Sequence, residues 1–202
     1  MLTVPNVFVP EFDAKAHRYR SPSGFVLPSV TQILKPVTNA MYKNVDPGIL
    51  NIKADLGTAV HSAIEFLIDD DLDEGSLDLS IRPYVDAWKR WRDYYKPKLL
   101  LRELRLGCDY FCGTVDCVCE IKGETFVIDW KTTSKLHRIV GPQMSAYEML
   151  VRKHMGSSKL MNRMAVRLAN NGGYECMKCT DPKDYQIFEY LLKLNEWMRN
   201  HE

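Results

Sequence analysis

The sequence predicts a mixed α+β domain, and three observations carry that prediction. Apolar residues recur at helical spacing from Lys53 to Asp70, Leu99 to Thr133 is strand-like, and helical signals return after Gly141 and from Asp184. Strands flanked by helices in this order form a sheet with helices packed on it. A chain of 202 residues suffices for one domain with a full core. The expected organisation is a single domain over 1–202, with a hairpin and short helix in 1–50 and the core in 51–202.

Each element has its own signal. His17-Arg-Tyr-Arg20, the Ser21–Gly24 turn and Phe25-Val-Leu27 read as a small hairpin. Ser29 is the expected N-cap of a short helix through Leu34, which Pro36 stops. In the Lys53–Asp70 helix, Leu56, Ala59, Val60, Ala63, Ile64, Leu67 and Ile68 form one buried face, and the acidic run Asp69–Glu74 is a solvated loop. A second helix spans Ser80 to Lys96. Its Tyr84, Trp88, Trp91 and Tyr95 stripe is read as core, the alternative being a stacking platform for single-stranded bases beside Lys89, Arg90, Arg92 and Lys96. Leu99–Leu106, Tyr110–Ile121 and Thr125–Thr132 read as an antiparallel meander with a turn at Lys122-Gly123. Gly141-Pro142 opens a helix through Met155. Strands Leu160–Leu168 and Tyr174–Lys178 flank the Asn170–Gly173 turn, and a final helix covers Asp184–Asn200.

Composition narrows the function classes. A net charge of +1, from 27 basic and 26 acidic residues, gives no bulk attraction for nucleic acid, so any such surface is a local patch. No run approaches the ~18 apolar residues of a membrane span, and Met1–Phe12 has neither the basic nor the apolar region of a signal peptide. No membrane partner is expected, and the default address is the cytoplasm. Six cysteines are then read as reduced thiols, mostly small buried hydrophobes. Cys176 and Cys179 have a C-x-x-C spacing that would also suit a structural metal, which keeps a zinc protein as a third reading.

The chemistry concentrates in Gly113-Thr-Val-Asp116 and Val127-Ile-Asp129-Trp-Lys131-Thr-Thr133. A two-residue loop at Lys122-Gly123 pairs Ile121 with Glu124 and, counting back, Asp116 with Asp129 and Thr114 with Lys131. Alternation then puts Lys131 on the face of Asp129, and Val115, Cys117, Cys119, Ile121, Phe126, Ile128 and Trp130 on the other. Opposed carboxylates repel unless a cation lies between them. Hard oxygen donors suit Mg²⁺ or Mn²⁺, and a nearby lysine can orient or deprotonate a water and neutralise phosphate charge. Spacing alone leaves open an ordinary surface ion pair between Lys131 and an aspartate.

These segments resemble the Asp…(Asp/Glu)-x-Lys core of the PD-(D/E)XK nucleases. Gly57-Thr-Ala-Val-His61-x-x-x-Glu65, Gln143-Met-Ser-Ala-Tyr147 and Pro28-Ser-Val-Thr-Gln-Ile-Leu34 are similar, in the expected order, to motifs of the RecB-like branch and its phage exonucleases. The resemblance implies a restriction-endonuclease-like core, a central mixed sheet flanked by helices, and a metal-dependent deoxyribonuclease. It assigns catalysis to Asp116, Asp129 and Lys131. His61, Asp116, Asp129 and the backbone carbonyl of Trp130 become metal ligands, with Glu65 in support. Gln143 and Tyr147 become contacts to DNA or to the surroundings of the lysine, and, from their placement just after the strand of Lys131 rather than from the resemblance, Thr132, Lys135 and Arg138 are read as further DNA contacts. His137, Arg152, Lys153 and His154 extend the basic set. Glu103 reads as an exposed strand glutamate, the alternative being a supporting carboxylate. Relatives with an iron–sulfur cluster have one cysteine far upstream and three near the C-terminus. Here none precedes Cys108, so no such cluster is expected.

The implied activity is exonucleolytic, on DNA ends and preferably single strands, in a phage or bacterial recombination or repair system, with a single-strand annealing protein as a candidate partner. Besides the zinc protein, two rivals stay open: a non-catalytic nucleic-acid-binding accessory derived from the same fold, and a structure-specific endonuclease.

Overall fold

The computed structural model describes residues 6–13, 16 and 18–201; His17 of the expected hairpin lies outside the described residues. Near the N-terminus, β1 (Glu11–Asp13), β2 (Arg18–Arg20) and β3 (Val26–Leu27) form a small antiparallel sheet. Ser29 caps α1 (Val30–Ile33) through a capping box with Gln32. Pro36 does not end the helical region as expected. It sits in the first turn of α2 (Lys35–Met41), where its missing N–H leaves no helical bond unmade.

The central sheet has five strands in sequence order: β4 (Lys98–Gly107), β5 (Cys112–Ile121), β6 (Glu124–Lys131), β7 (Asn162–Leu168) and β8 (Tyr174–Lys178). It is mixed, because β6 and β7 run parallel while the other pairs are antiparallel. Parallel neighbours require a crossover, and α5 (Val140–His154) supplies it. Lys122 and Gly123 both have positive φ, 52° and 82°, as a two-residue hairpin turn demands. That turn sets the register, with Cys117 opposite Ile128 and Ile121 opposite Glu124.

Helices cover both faces. α3 (Pro47–Ile68) and α4 (Arg82–Tyr95) bury Val60, Ile64, Tyr84, Trp88 and Trp91 against Cys117, Cys119, Ile121, Phe126, Ile128 and Trp130. The aromatic stripe of α4 is therefore core, with Tyr95 half-buried at its edge. On the other face, α1, α5 and α6 (Lys183–Arg199) enclose Val118, Val127 and Ala165. Every residue of α5 from Val140 to Val151 is buried, since α6 packs over it from outside. One expected face assignment is corrected: Val115 joins the α5 side rather than that of Cys117. The alternation slips beside Glu103, which sits at φ 41° on the neighbouring strand. α3 also begins six residues earlier than its apolar periodicity predicts, because Asp46 caps Gly48 N at 2.8 Å and Ile49 N at 3.2 Å ahead of Pro47. None of the described helices is long and apolar enough to cross a membrane.

Candidate active site

The site forms where β5 and β6 part. Their ladder ends at Cys117–Ile128, while β6 continues beside β7 to Lys131. At the fork the Trp130 backbone N–H donates to the Asp116 carboxylate, 2.7 Å away. The Trp130 ring anchors this segment against Trp91 and Trp88, with centroids at 4.7 and 6.1 Å. Asp129 and Lys131, on either side of it, point the opposite way, and Lys131 Nζ stands 2.7 Å from Asp129 Oδ2. The expected pairings of Asp116 with Asp129 and of Thr114 with Lys131 both fall beyond the end of the ladder and do not form; the Thr114 hydroxyl meets Tyr19 Oη at 3.2 Å instead.

Three elements bring ligand atoms together. His61 of α3 lies with Nε2 3.1 Å from the Trp130 carbonyl oxygen and Nδ1 3.6 Å from Asp116 Oδ1. His61, Glu103 and Asp116 each present one ligand atom, all within 4.8 Å of one another. Glu103 is half-buried rather than the exposed strand glutamate that the sequence suggested, and it joins the site as the alternative reading had it. The positive φ that turns it in from β4 is not legible as a motif, although its place on the strand beside Asp116 was.

The electrostatics match a site that accepts a cation. Burial, then the charge of Asp116, raises the Glu103 carboxyl to about 7, with His61 opposing. Burial likewise raises Asp116 to about 6, helped by Asp129 and opposed by His61, Lys131 and the Trp130 N–H. Burial pulls the Lys131 ammonium down, but Asp129 and Asp116 outweigh it and the net shift is upward. Carboxyls held this high report negative charge crowded in low dielectric. One imidazole nitrogen, two carboxylates and a backbone carbonyl make a donor set that fits a divalent cation of the Mg²⁺ or Mn²⁺ kind.

The remaining candidates divide. Glu65 is exposed and outside the converging trio, though its charge reaches Glu103. Thr132 follows β6 beside Gly57, where a Cβ would meet its hydroxyl at 3.4 Å. Lys135 and Arg138 are exposed on the loop after β6, His137 is half-buried there, and Lys153 and His154 are exposed at the far end of α5. Arg152 is instead paired with Glu148. Gln143 and Tyr147 also depart from the DNA-contact group. They are only 7% and 5% exposed, because α5 is buried on all sides. Gln143 Nε2 donates to Tyr147 Oη at 3.1 Å and reaches Asp129 Oδ1 at 3.4 Å, so both line the carboxylate's surroundings. All six cysteines are free. Cys176 packs toward α4 while Cys179 belongs to the opposite core.

Gly113 is where β5 lets α5 come close: a Cβ there would lie 2.7 Å from Tyr147 Cε1. Gly113→Ala is expected to lower stability by about 1–3 kcal/mol and to displace the Gln143–Tyr147 pair. Chemical denaturation checks the first effect, and a wild-type midpoint would contradict it.

A forked sheet with carboxylates and a lysine on its inner strands, roofed by a histidine-bearing helix, is the arrangement of a metal-dependent phosphodiesterase. A family model described as the PD-(D/E)XK nuclease superfamily matches residues 73–194, more than half of the chain, and the protein belongs to that superfamily. The matched span contains Glu103, Asp116, Asp129, Lys131, Gln143 and Tyr147; His61 precedes it. No curated protein sequence matches the chain.

Proposed function

We propose that this protein is a DNA exonuclease that hydrolyses phosphodiester bonds from DNA ends with Mg²⁺ or Mn²⁺. The convergence of His61, Glu103 and Asp116 beside the Lys131–Asp129 pair carries this reading. His61, Glu103, Asp116 and the Trp130 carbonyl would hold the ion, with Asp129, outside the converging trio and paired with Lys131, completing the ligand set from beside it and Glu65 beyond them. When bound, a divalent cation supplies Lewis acidity and lowers the pKa of water. The chain's own residues do the rest. Lys131, kept cationic by its two aspartates, orients the attacking water and neutralises charge developing on phosphate. Gln143, backed by Tyr147, fixes the Asp129 carboxylate from the α5 side. Thr132, Lys135 and Arg138 border the site on the loop after β6 and would contact DNA phosphates.

The ordered motifs, from Pro28–Leu34 through His61 and Asp116 to Tyr147, support placement in the RecB-like branch and a single nuclease domain over 1–202. The same motif order supports a place in phage or bacterial recombination or repair, in the cytoplasm, beside a single-strand annealing protein.

The test is cleavage of end-labelled linear DNA, single- and double-stranded, beside covalently closed circles, with Mg²⁺, Mn²⁺ or EDTA. Loss of linear DNA that needs metal and spares circles is expected. Cleaved circles would reassign the protein as an endonuclease. DNA binding without cleavage under either metal would make it an accessory module.

A further inference from the structure

α3 is longer than its packing requires. Its buried residues, Val60, Ala63 and Ile64, all lie in its second half, whereas every residue from Lys43 to Asp55 is exposed. A helical stretch of that length has little stability of its own in water, so a ligand lying along it would stabilise it.

Its orientation is set at two points. His61 reaches Trp130 and Asp116, and Gly57 faces Thr132. At roughly 100° per residue, Leu50, Ala54 and Gly57 fall within about 40° of His61, Lys53 stands at the border of that face, and Asp55 is turned about 120° away. The face that begins at the candidate metal site thus continues outward through two small residues, a lysine and an apolar residue. The other acidic side chain of the projection, Asp46, is occupied in capping Gly48 and Ile49. The loop after β6, which meets α3 where Thr132 lies beside Gly57, carries Lys135 and Arg138, and its His137 meets Tyr42, the neighbour of Lys43, edge-on with ring centroids 6.0 Å apart. Among the described residues, Lys43, Lys53, Lys135 and Arg138 form no ion pair.

We propose that the exposed half of α3 is a track for single-stranded DNA leading to the active site, with Lys53 binding a backbone phosphate and Leu50 meeting a base. This rests on the nuclease reading. Unpaired cations on this helix and on the loop that meets it suit a phosphate backbone. Small residues allow the strand to lie close, and Leu50, exposed one turn before Lys53, offers an apolar surface that an unstacked base can cover. From His61 to Leu50 the helix rises roughly 16 Å. That accommodates about five nucleotides at the stacked spacing of ~3.4 Å, and fewer when stretched.

Steady-state cleavage of single-stranded oligonucleotides by wild type, Lys53→Glu, Lys53→Arg and the remote Lys193→Glu tests the track. Lys53→Glu is expected to raise KM about ten-fold at moderate salt with kcat within two-fold. Lys53→Arg and Lys193→Glu should behave as wild type. Lengthening the oligonucleotide should lower KM only until about five nucleotides extend from the cleaved bond. An unchanged KM in Lys53→Glu, with wild type active, would overturn the track and leave the nuclease standing. An inactive wild type would overturn the nuclease reading instead. Fluorescence anisotropy with the same oligonucleotides in EDTA then decides the track: weakened binding by Lys53→Glu supports it, and equal binding refutes it.

Discussion

Asp116→Asn is expected to abolish metal-dependent cleavage, by at least on the order of a thousandfold, while the protein stays folded. The two halves of this expectation have separate causes. An amide oxygen at this position still accepts the Trp130 N–H, the bond that holds the fork in place. The substitution also removes one of the charges that raise Glu103 and are themselves raised by burial, so the metal-free protein should be no less stable at pH 8. What disappears is a hard, charged ligand, and with it affinity for a divalent cation. Lys131→Ala should lose activity comparably, but by another route. It leaves Asp129 without its close cation and should keep metal binding. Single-turnover cleavage and melting temperature with and without Mn²⁺ separate the two. Wild type and Lys131→Ala should gain stability from Mn²⁺, and Asp116→Asn should gain little. Activity within ten-fold of wild type in either variant would refute the assignment of that residue.

Much of this site was legible because it is local. Two strands joined by Lys122-Gly123 have one register, and that register put Asp116 and Asp129 at one level without reference to the rest of the chain. A spacing of four likewise sets Gly57, His61 and Glu65 in a row on one side of a helix, of which the first two meet the fork and Glu65 stays exposed. Three things were not legible. The ladder ends after Cys117, so Asp116 turns its carboxylate to a backbone N–H where counting predicted only a facing residue. Glu103 enters the site through a left-handed backbone conformation, which leaves no trace in hydrophobic alternation. Gln143 and Tyr147 are buried because α6 covers α5, a contact between segments some forty residues apart, whereas their i, i+4 spacing said only that they share a face. The early start of α3 did carry a signal, Asp46 before Pro47. Apolar periodicity masked it, because the first half of the helix buries nothing.

Crowded carboxylates also fix how stability should respond to pH. Glu103 rises from 4.5 to about 7 and Asp116 from 3.8 to about 6. Between the ordinary carboxylate range and these raised values, the folded protein holds protons that the unfolded chain has lost. Its stability therefore falls as pH rises through that window and levels off above about pH 7. This is opposite in sign to the usual contribution of a salt-bridged carboxylate, whose lowered pKa makes stability fall on acidification. A divalent cation competes with the same protons, so it should bind weakly at pH 5 and strongly at pH 8. Thermal melts from pH 5 to 8 in EDTA should show a falling melting temperature, and the increment from Mn²⁺ should grow over the same interval. Glu103→Gln removes one titrating group, so its metal-free melting temperature should fall less steeply and its Mn²⁺ increment should shrink. If the metal-free melting temperature of wild type rises from pH 5 to 8, or if Glu103→Gln follows the same slope, Glu103 does not share the negative charge of the fork, and its place among the metal's ligands falls with it.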